Sequence, residues 1–364
     1  MGTFALIAGG GTGGHLYPAI ALADELVARG HPRDGIRFVG GTRGPEGRVV
    51  PEAGYAIDLL PGRGLQRKLT PANIVINVTV VFQTLTAMIR AIGLVRKYRP
   101  RVVVGFGGYA SLPCVVAAWC WRVPRVVHEQ DSVMGLANRI GVRLGARVAA
   151  SLPGVDAPGA ELTGNPVRNE FRDLTRAPQS PPLVAAFGGA LGAASINRAM
   201  LDCYDRWRDR SDIAVHHVVG ERNFADCDAR LRSLRRVGDR LDYSLVAYEQ
   251  RMNQLYERAA LAVCRAGAGT VAELTAAGLP AVLVPLPGAP SDHQSHNAAT
   301  LEQAGAAIRL ADEECDGAHL DALVGRLLAD PGRLQQMSAA ARALARPDAA
   351  ARVADLVEEH ARGR

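Results

Sequence analysis

Residues 8–18 read Ala-Gly-Gly-Gly-Thr-Gly-Gly-His-Leu-Tyr-Pro and follow the apolar run at residues 4–7. The pattern predicts a short buried strand, a glycine-rich loop, and an amphipathic helix over residues 19–29 that Pro18 opens. Because glycine has no Cβ, a ligand can approach the backbone N–H groups of such a loop. The helix N-terminus behind it supplies partial positive charge, which suits phosphate or pyrophosphate. His15 adds a titratable group beside this predicted anion site.

The order of strand, loop and helix recurs along the chain. We predict buried strands over residues 4–8, 36–40, 56–60, 102–106 and 125–128, and in the second half over residues 183–187, 214–219, 244–247, 261–264 and 281–285. Helix patterns separate these strands, and a second glycine loop occupies residues 188–193. Alternating strands and helices with continuously apolar strands predict parallel sheets that are covered on both faces.

Two domains follow from this repetition and from the length. The 364 residues suffice for two hydrophobic cores. Prolines are frequent in residues 151–182, which predicts a linker there. We predict an α/β fold of two Rossmann-like, doubly wound parallel-sheet domains facing a cleft, where the ligands of open α/β sheets bind. The predicted domains are residues 1–165 and 166–344, and we expect helix 345–364 to pack back on the first domain.

The composition narrows the class of protein. Apolar residues make up 48% and charged residues 21% of the chain, as in a globular protein and unlike a disordered one. The net charge of +6 fits a partner that carries phosphates or an acidic membrane surface. We do not expect a nucleic acid among the partners of the protein. The six cysteines form no C-x-x-C pair, and we interpret Asp226-Cys227-Asp228 as a solvated helix face. We therefore expect no metal.

Residues 74–95 form an apolar run of about the length that spans a bilayer. Polar residues interrupt this run, and apolar residues recur in it at helical spacing, namely Leu85, Met88, Ile89 and Ile92. The pattern predicts a buried amphipathic helix in preference to a transmembrane one.

Residues 9–14 also satisfy the G-x-G-x-x-G fingerprint of nicotinamide and flavin enzymes. That fingerprint expects a carboxylate at the end of the second strand to bind ribose. Residues 38–43 read Phe-Val-Gly-Gly-Thr-Arg and contain no carboxylate, although Arg43 could meet a 2′-phosphate. Of the functions that we consider for this chain, a dinucleotide oxidoreductase therefore has the least support from the sequence.

A second ligand-binding pattern is the segment Cys-Arg-Ala-Gly-Ala-Gly-Thr-Val-Ala-Glu-Leu at residues 264–274. A strand ends in this segment, and we predict that a helix begins at Thr270 with Glu273 in its first turn. Its backbone N–H groups can bind phosphate, and a carboxylate can accept two hydrogen bonds from ribose hydroxyls. Thr270 and Glu273 also fit a capping box. We favour the sugar contact because a polar loop, residues 285–297, follows the next buried strand.

Taken together, several motifs resemble the MurG family of N-acetylglucosaminyltransferases from residue 3 to about residue 340. In addition to the first glycine loop they are, in chain order, Gly-Gly-Tyr-Ala-Ser at residues 107–111, His-Glu-Gln at 128–130 with Asn138, Gly-Asn-Pro-Val-Arg at 164–168, the loop at Gly188 and residues 265–273. The resemblance implies the GT-B fold and transfer, with inversion, of N-acetylglucosamine from UDP-N-acetylglucosamine to the muramyl sugar of lipid I. It further implies an enzyme of peptidoglycan synthesis, without cofactor, peripheral on the cytoplasmic face of the plasma membrane.

The same resemblance assigns residues to two ligands. The first domain would bind the lipid-linked acceptor through Thr12, Gly13, Gly14, Tyr109 and Asn138. The donor, UDP-N-acetylglucosamine, would be bound by Asn138, Arg168, Gly189, Ala190, Arg265, Gly267, Thr270, Glu273, Gln294 and Asn297. For the base that takes the acceptor proton, His15 and Glu129 both stay open, by position and chemistry.

Some positions depart from the family pattern, namely Ala190, Leu191, Leu112, Asp131, Glu249 and His293. They motivate two alternatives, a GT-B transferase acting on another acceptor such as a secondary metabolite, and a catalytically weak homologue that binds a UDP-sugar or lipid.

Residues 62–69 and the apolar positions that follow, up to Phe82, mix basic and apolar side chains. This mixture predicts peripheral contact with an anionic membrane surface.

Overall fold

The computed structural model describes residues 2–11, 13–62, 71–172, 174–189 and 192–362. The chain divides into two compact units, the first formed by Met1–Arg168 with Arg346–Arg364 and the second by Asn169–Ala345. Each unit contains one parallel sheet flanked by helices. The predicted fold class, two Rossmann-like parallel-sheet domains, is thereby confirmed.

The first unit is built on a seven-stranded sheet in the order β3-β2-β1-β4-β5-β6-β7. Its strands are β1 (Ala5–Ala8), β2 (Ile36–Gly41), β3 (Ala56–Leu60), β4 (Val102–Gly105), β5 (Arg125–Glu129), β6 (Arg147–Ala150) and β7 (Glu161–Leu162). The helices between them are α1 (Gly13–Ala28), α2 (Glu46–Glu52), α3 (Pro71–Tyr98), α4 (Gly108–Cys120) and α5 (Leu136–Arg143). The central strands β1 and β4 are buried along their whole length, which explains their uninterrupted apolar sequence.

The second unit is built on a six-stranded sheet in the order β10-β9-β8-β11-β12-β13. Its strands are β8 (Leu183–Phe187), β9 (Ala214–Val218), β10 (Asp242–Val246), β11 (Ala259–Cys264), β12 (Ala281–Leu283) and β13 (Ala307–Arg309). Its helices are α6 (Asn169–Arg172), α7 (Ala194–Trp207), α8 (Phe224–Leu234), α9 (Met252–Arg258), α10 (Ala268–Ala277), α11 (His293–Gln303), α12 (Gly317–Leu328) and α13 (Pro331–Leu344). The last helix of the chain, α14 (Ala349–Arg362), belongs to the first unit.

The strand order places each glycine loop at a reversal of the sheet. In the first unit the order reverses between β1 and β4, and in the second between β8 and β11. At such a point the loops that leave neighbouring strands diverge to opposite faces and open a crevice beyond the carboxyl ends of the strands. The loops after β1 and β8 are the two glycine-rich loops. Both loops therefore lie where this fold binds ligands.

Helix α14 docks on the core of the first unit. Its side chains Val353, Leu356 and Val357 are buried in the cluster that also holds β1 and α1. The guanidinium of Arg29 donates a hydrogen bond to Asp355 at 2.6 Å. Because the apolar stripe and the ion pair act together, the chain crosses back to the first unit at its end.

The start of α1 differs from the prediction. The helix begins at Gly13, and Pro18 lies inside it with a buried ring. Proline favours the first position of a helix; further in it removes a backbone donor, here the one that would reach the carbonyl of Gly14, and its ring crowds that carbonyl. Because the helix begins at Gly13, the residues Gly13, Gly14 and His15 form its first turn instead of a loop before it.

The buried face of α3 also differs from the prediction. Ala87, Ala91 and Val95 are buried and pack with the small side chains of α4, whereas Leu85 and Ile89 are 56% and 72% exposed. Small residues at spacings of four let two helices approach closely, and this contact outweighs the larger apolar side chains. In the described part of the chain, no helix has the length and apolar character required to cross a bilayer.

Candidate functional site

The loops after β1 and β4 meet in the first unit. Gly108 has a φ of +74°, and a Cβ on it would lie 2.4 Å from the carbonyl oxygen of Gly10. Gly107, at +84°, packs on His15, whose Cδ2 would lie 3.1 Å from such a Cβ. The contact needs glycine at both positions. The structure thus brings together His15, the first glycine loop and the start of α4; Thr12 lies outside the described residues.

Tyr109 lies on the side of the loops that follow β2 and β3. Its ring packs against Gly41 and Gly62, and at Gly41 a Cβ would overlap its hydroxyl. Burial, and after it the negative charge of Glu46, raise the pKa of Tyr109. The phenol is therefore protonated at neutral pH and braces these loops.

Glu129 ends β5 with its carboxylate buried. It accepts hydrogen bonds from Nδ2 of Asn138 at 2.9 Å and from the backbone N–H groups of Gly135 and Asp131 at 2.9 and 3.1 Å. Burial raises the pKa of Glu129, and these three donors oppose the rise. Nδ2 of Asn138 also donates to the carbonyl of His128. Both predicted site residues consequently hold the turn between β5 and α5.

His128, next to Glu129, is a neutral structural histidine. It is fully buried, and burial lowers its pKa to about 4. Its Nε2 lies 3.1 Å from the carbonyl oxygen of Gly164, so the ring links β5 to the turn after β7.

Arg168 follows that turn, and its guanidinium lies 5.2 Å from the centre of the ring of Tyr17 on α1. The predicted donor contact Arg168 is thus placed beside the first turn of α1.

In the second unit the loop after β8 is tightly folded. Gly189 and Gly192 have φ values of +78° and +72°, and a hydrogen bond joins the N–H of Gly192 to the carbonyl of Gly189. A Cβ on Gly192 would lie 2.0 Å from the carbonyl oxygen of Val219. This contact explains the glycine at position 192. Ala190 and Leu191 lie outside the described residues.

Arg265 is 9% exposed and faces the interior. Its guanidinium donates to Asp312 at 2.6 Å, to Oγ of Ser195 at 2.9 Å and to the carbonyls of Val284 and Pro285 at 3.0 Å. Ser195 in turn donates to the same oxygen of Asp312 at 2.5 Å. This network joins the ends of β11 and β12 to the start of α7. Sequence reasoning missed Ser195 and Asp312, because no local pattern relates residues so far apart.

Helix α10 begins two residues earlier than predicted. Its N-cap is Gly267, its first residue is Ala268, and no side chain caps it. The capping box is therefore wrong, because Thr270 is already the third residue of the helix. Glu273 lies in the second turn, and its charge adds to the burial that raises the pKa of the Cys264 thiol. The first N–H groups of α10 have no acceptor within the helix, so this end suits an anion.

The loop before α11 carries backbone strain. Ser291 and Asp292 have φ values of +53° and +51°, which non-glycine residues adopt at a cost that is often found at functional sites. Oε1 of Gln294 accepts the N–H of Leu286 at 3.0 Å. Asn297 is fully buried and donates to the carbonyl of Ala266 at 3.1 Å. Of these two predicted donor contacts, Asn297 therefore supports the turn that leads into α10.

Metal ligands do not cluster in the part of the chain that the structure describes: no group of three or more His, Cys, Asp or Glu side chains is placed to hold an ion. The Asp226-Cys227-Asp228 sequence lies on α8, where Asp228 pairs with Arg232 and Cys227 is buried. The carboxylate of Asp228 is therefore already paired within its own helix.

Comparison with known proteins identifies relatives that match nearly the full length of this chain. Residues 5–150 match the N-terminal domain of glycosyltransferase family 28, and residues 183–353 match its C-terminal domain. A protein from Alkalilimnicola ehrlichii is 40% identical over 98% of this chain and 99% of its own. One from Salinibacter ruber is 39% identical over 96% and 94%. Both are named UDP-N-acetylglucosamine--N-acetylmuramyl-(pentapeptide) pyrophosphoryl-undecaprenol N-acetylglucosamine transferase.

Solved structures agree with these relatives. The crystal structure of Acinetobacter baumannii MurG superposes with a TM-score of 0.77 at 27% identity, covering 98% of this chain and 99% of that one. The glycotransferase of kitacinnamycin superposes with a TM-score of 0.71 at 17% identity, covering 99% of both chains. At that identity the second likeness shows the fold alone.

Proposed function

The chain belongs to glycosyltransferase family 28, and from this premise we propose that it transfers N-acetylglucosamine, with inversion, from UDP-N-acetylglucosamine to lipid I. The product is lipid II, a precursor of peptidoglycan, which serves cell-wall biogenesis, cell shape and division. The observation that carries the proposal is the identity of 40% over 98% of the chain to a transferase named for this reaction. The glycine loops at both sheet reversals add independent support, since a diphosphate-linked acceptor and a nucleotide donor each need an anion site.

The proposed base is His15. In an inverting transfer the acceptor hydroxyl loses a proton as it attacks the anomeric carbon, and UDP leaves from the opposite face. His15 is half-buried in the first turn of α1, beside the glycine loop. Glu129, by contrast, is 4% exposed and already accepts three hydrogen bonds. We therefore assign proton transfer to His15 and the positioning of the turn after β5 to Glu129.

The donor is proposed to bind the second unit. The N-terminal amides of α10 and the loop at Gly189 meet the diphosphate of UDP-N-acetylglucosamine and stabilise the charge that develops on it. Glu273 accepts hydrogen bonds from the ribose hydroxyls, and Gln294 contacts the donor from the loop before α11. Arg265 and Asn297 act by holding these elements in place, because their side chains already bond to the protein.

The proposed location is the cytoplasmic face of the plasma membrane, to which the protein binds peripherally. Large apolar side chains are exposed on α3 and the end of α4, namely Phe82, Leu85, Ile89, Trp119 and Trp121. The guanidinium of Arg96 lies 5.8 Å from the ring of Trp121, so positive charge borders this apolar surface. Exposed aromatic and aliphatic groups beside basic ones suit an anionic lipid interface. The predicted basic segment at residues 63–69 lies outside the described residues.

A transfer assay tests the proposal. The purified protein is incubated with radiolabelled UDP-N-acetylglucosamine and a lipid I analogue, and we expect label in the lipid fraction. Saturable donor binding without transfer would point instead to another acceptor, and the same assay with a panel of acceptors would identify it. Neither binding nor transfer would refute the function proposed.

A further inference from the structure

The carboxylate of Glu46, the first residue of α2, is fully buried at the carboxyl edge of the first sheet. Its Oε1 accepts the backbone N–H of Gly41 at 2.8 Å and that of Gly11 at 3.2 Å, and Oε2 lies 3.3 Å from the same N–H of Gly11. Within the described residues Glu46 takes part in no ion pair. A buried carboxylate is costly unless it is hydrogen-bonded, so these two loop amides are what hold it in place.

The surrounding glycines are shaped to receive this carboxylate. A Cβ on Gly10 would lie 2.2 Å from Oε1 of Glu46, and one on Gly44 would lie 1.9 Å from Oε2. A Cβ on Gly40 would lie 2.5 Å from its Cγ. The glycine at position 10 of the first glycine loop is thus explained by an anion of the protein itself and not by a ligand's phosphate.

The loop held by Glu46 also determines the position of the proposed base. Gly10 contacts Gly108 through its carbonyl, and the neighbouring Gly107 packs on His15. Glu46 therefore contacts the loop after β1, His15 contacts the loop after β4, and these two loops touch each other at Gly10 and Gly108. A shift of the glycine loop would move the first turn of α1 and the start of α4 together.

We propose that Glu46 is a positioning residue for a diphosphate-linked acceptor. Its carboxylate occupies the amides of Gly11 and Gly41, fixes the glycine loop, and leaves the N-terminus of α1, at Gly13 and Gly14, to the acceptor's phosphates. A second anion at Gly11 would be repelled, so the loop does not take the pyrophosphate of a dinucleotide. This proposal rests on the function proposed above and adds the residue that shapes its acceptor side.

The test compares Glu46→Gln with Glu52→Gln, an exposed position on the same helix, in the full-length protein. With a lipid I analogue and UDP-N-acetylglucosamine, we expect Glu46→Gln to raise the KM for the acceptor about tenfold or more, as befits the loss of hydrogen bonds to a charged group. The KM for the donor should stay at the wild-type value, and Glu52→Gln should match the wild type in both constants.

An unchanged acceptor KM in folded Glu46→Gln would overturn the proposal, and so would an equal rise of both KM values, which indicates a general loss of structure. If Glu46→Gln does not fold, Glu46→Asp replaces it, because it keeps the charge but shortens the reach. A smaller rise in acceptor KM is expected there, and none would be contradictory. A wild-type protein that fails to transfer to the analogue would overturn the proposed function and this proposal together, whereas the variant results overturn only this one.

Discussion

Arg265 shows how a side chain that fits a ligand-binding pattern can be used by the fold itself. The sequence places an arginine at the end of a strand before a glycine turn, where a phosphate contact is reasonable. In the structure the guanidinium donates to Asp312, to Ser195 and to two carbonyls, all within the second unit. Asn297 is buried in the same way under the turn before α10. These residues order the loops around the proposed donor site, and their side chains bond to the protein itself.

This role predicts the effect of Asp312→Asn. The substitution removes the carboxylate that neutralises a nearly buried guanidinium, so we expect a loss of about 2–3 kcal/mol in the free energy of unfolding. The loops after β8 and β11 should loosen, and the KM for UDP-N-acetylglucosamine should rise while the acceptor KM stays constant. Denaturant titration and steady-state kinetics measure both. Glu313→Gln, its exposed neighbour, is the matched control, and equal behaviour of the two variants would contradict the network.

His15→Ala tests the assignment of the base. Loss of a general base lowers kcat by roughly 10²- to 10⁴-fold, and donor binding should be unaffected because the ring lies in the first unit. Calorimetric titration with UDP-N-acetylglucosamine checks the binding, and single-turnover transfer checks the chemical step. His319→Gln, at an exposed site on α12, should retain wild-type kcat. Near-normal turnover by His15→Ala would return the assignment to Glu129.

At the scale of the element, strands were more predictable than helix ends. Strands β3 and β8 have the predicted bounds, and β1, β2, β4 and β5 differ by a single residue at one end, because buried parallel strands have continuous apolar sequences. The prediction missed β6, β7 and β13, of which β7 and β13 are edge strands that are only partly buried and so lack a continuous apolar sequence. Helix starts at Gly13 and Ala268 were missed because glycine and alanine runs lack a capping side chain.

Site prediction had a similar limit. The glycine loops and His15 could be proposed from the sequence because a local pattern specifies them. The partners that organise these loops, Glu46, Ser195 and Asp312, come from distant segments that only the folded sheet brings together. The apolar face of α3 was misassigned for the same reason, since the pattern alone does not say which side meets α4.

The exposed face of α3 leads to a prediction about membrane binding. Replacing Leu85 and Ile89 together by Glu should weaken binding to vesicles of anionic phospholipid by about tenfold or more, because two apolar groups no longer insert and two negative charges face the lipid. Sedimentation with vesicles measures the effect. Val237→Glu, which makes the same kind of change at an exposed site of the second unit, should bind as the wild type does. If all three proteins bind the vesicles equally, the exposed face of α3 does not contact the membrane.

At the scale of the whole molecule, each unit contains one fully buried histidine that the fold keeps neutral. Burial lowers the pKa of His128 on β5 to about 4. Burial, with the neighbouring charge of His216, lowers that of His217 on β9 to about 3. His217 bonds to the hydroxyl of Tyr243 at 2.8 Å and to Oδ1 of Asn197 at 3.1 Å. Neither ring has room to hydrate when it is charged, so protonation favours the unfolded chain in both units.

The sign of the resulting pH dependence is fixed. An unfolded histidine has a pKa of about 6.5, so between that pH and the folded value the unfolded state binds the additional proton. The stability due to neutral burial is complete above about pH 6.5 and falls as the pH drops toward 4, by about 1.4 kcal/mol per pH unit for each ring. Both units should therefore lose stability over the same pH range, although the buried histidines lie on strands at different places in the two sheets, β5 and β9.

Single substitutions separate the two contributions. His128→Gln and His217→Gln should each be less stable than the wild type at pH 7, since a buried ring is lost. Each should also show a smaller decline in stability between pH 6.5 and pH 4.5, by about one proton in the slope. Denaturant titrations at several pH values give that slope directly, with His296→Gln, an exposed site, expected to keep the wild-type value. If both buried variants keep the full slope, the acid sensitivity of the protein arises from its carboxylates, and the buried rings accept protons without unfolding either unit.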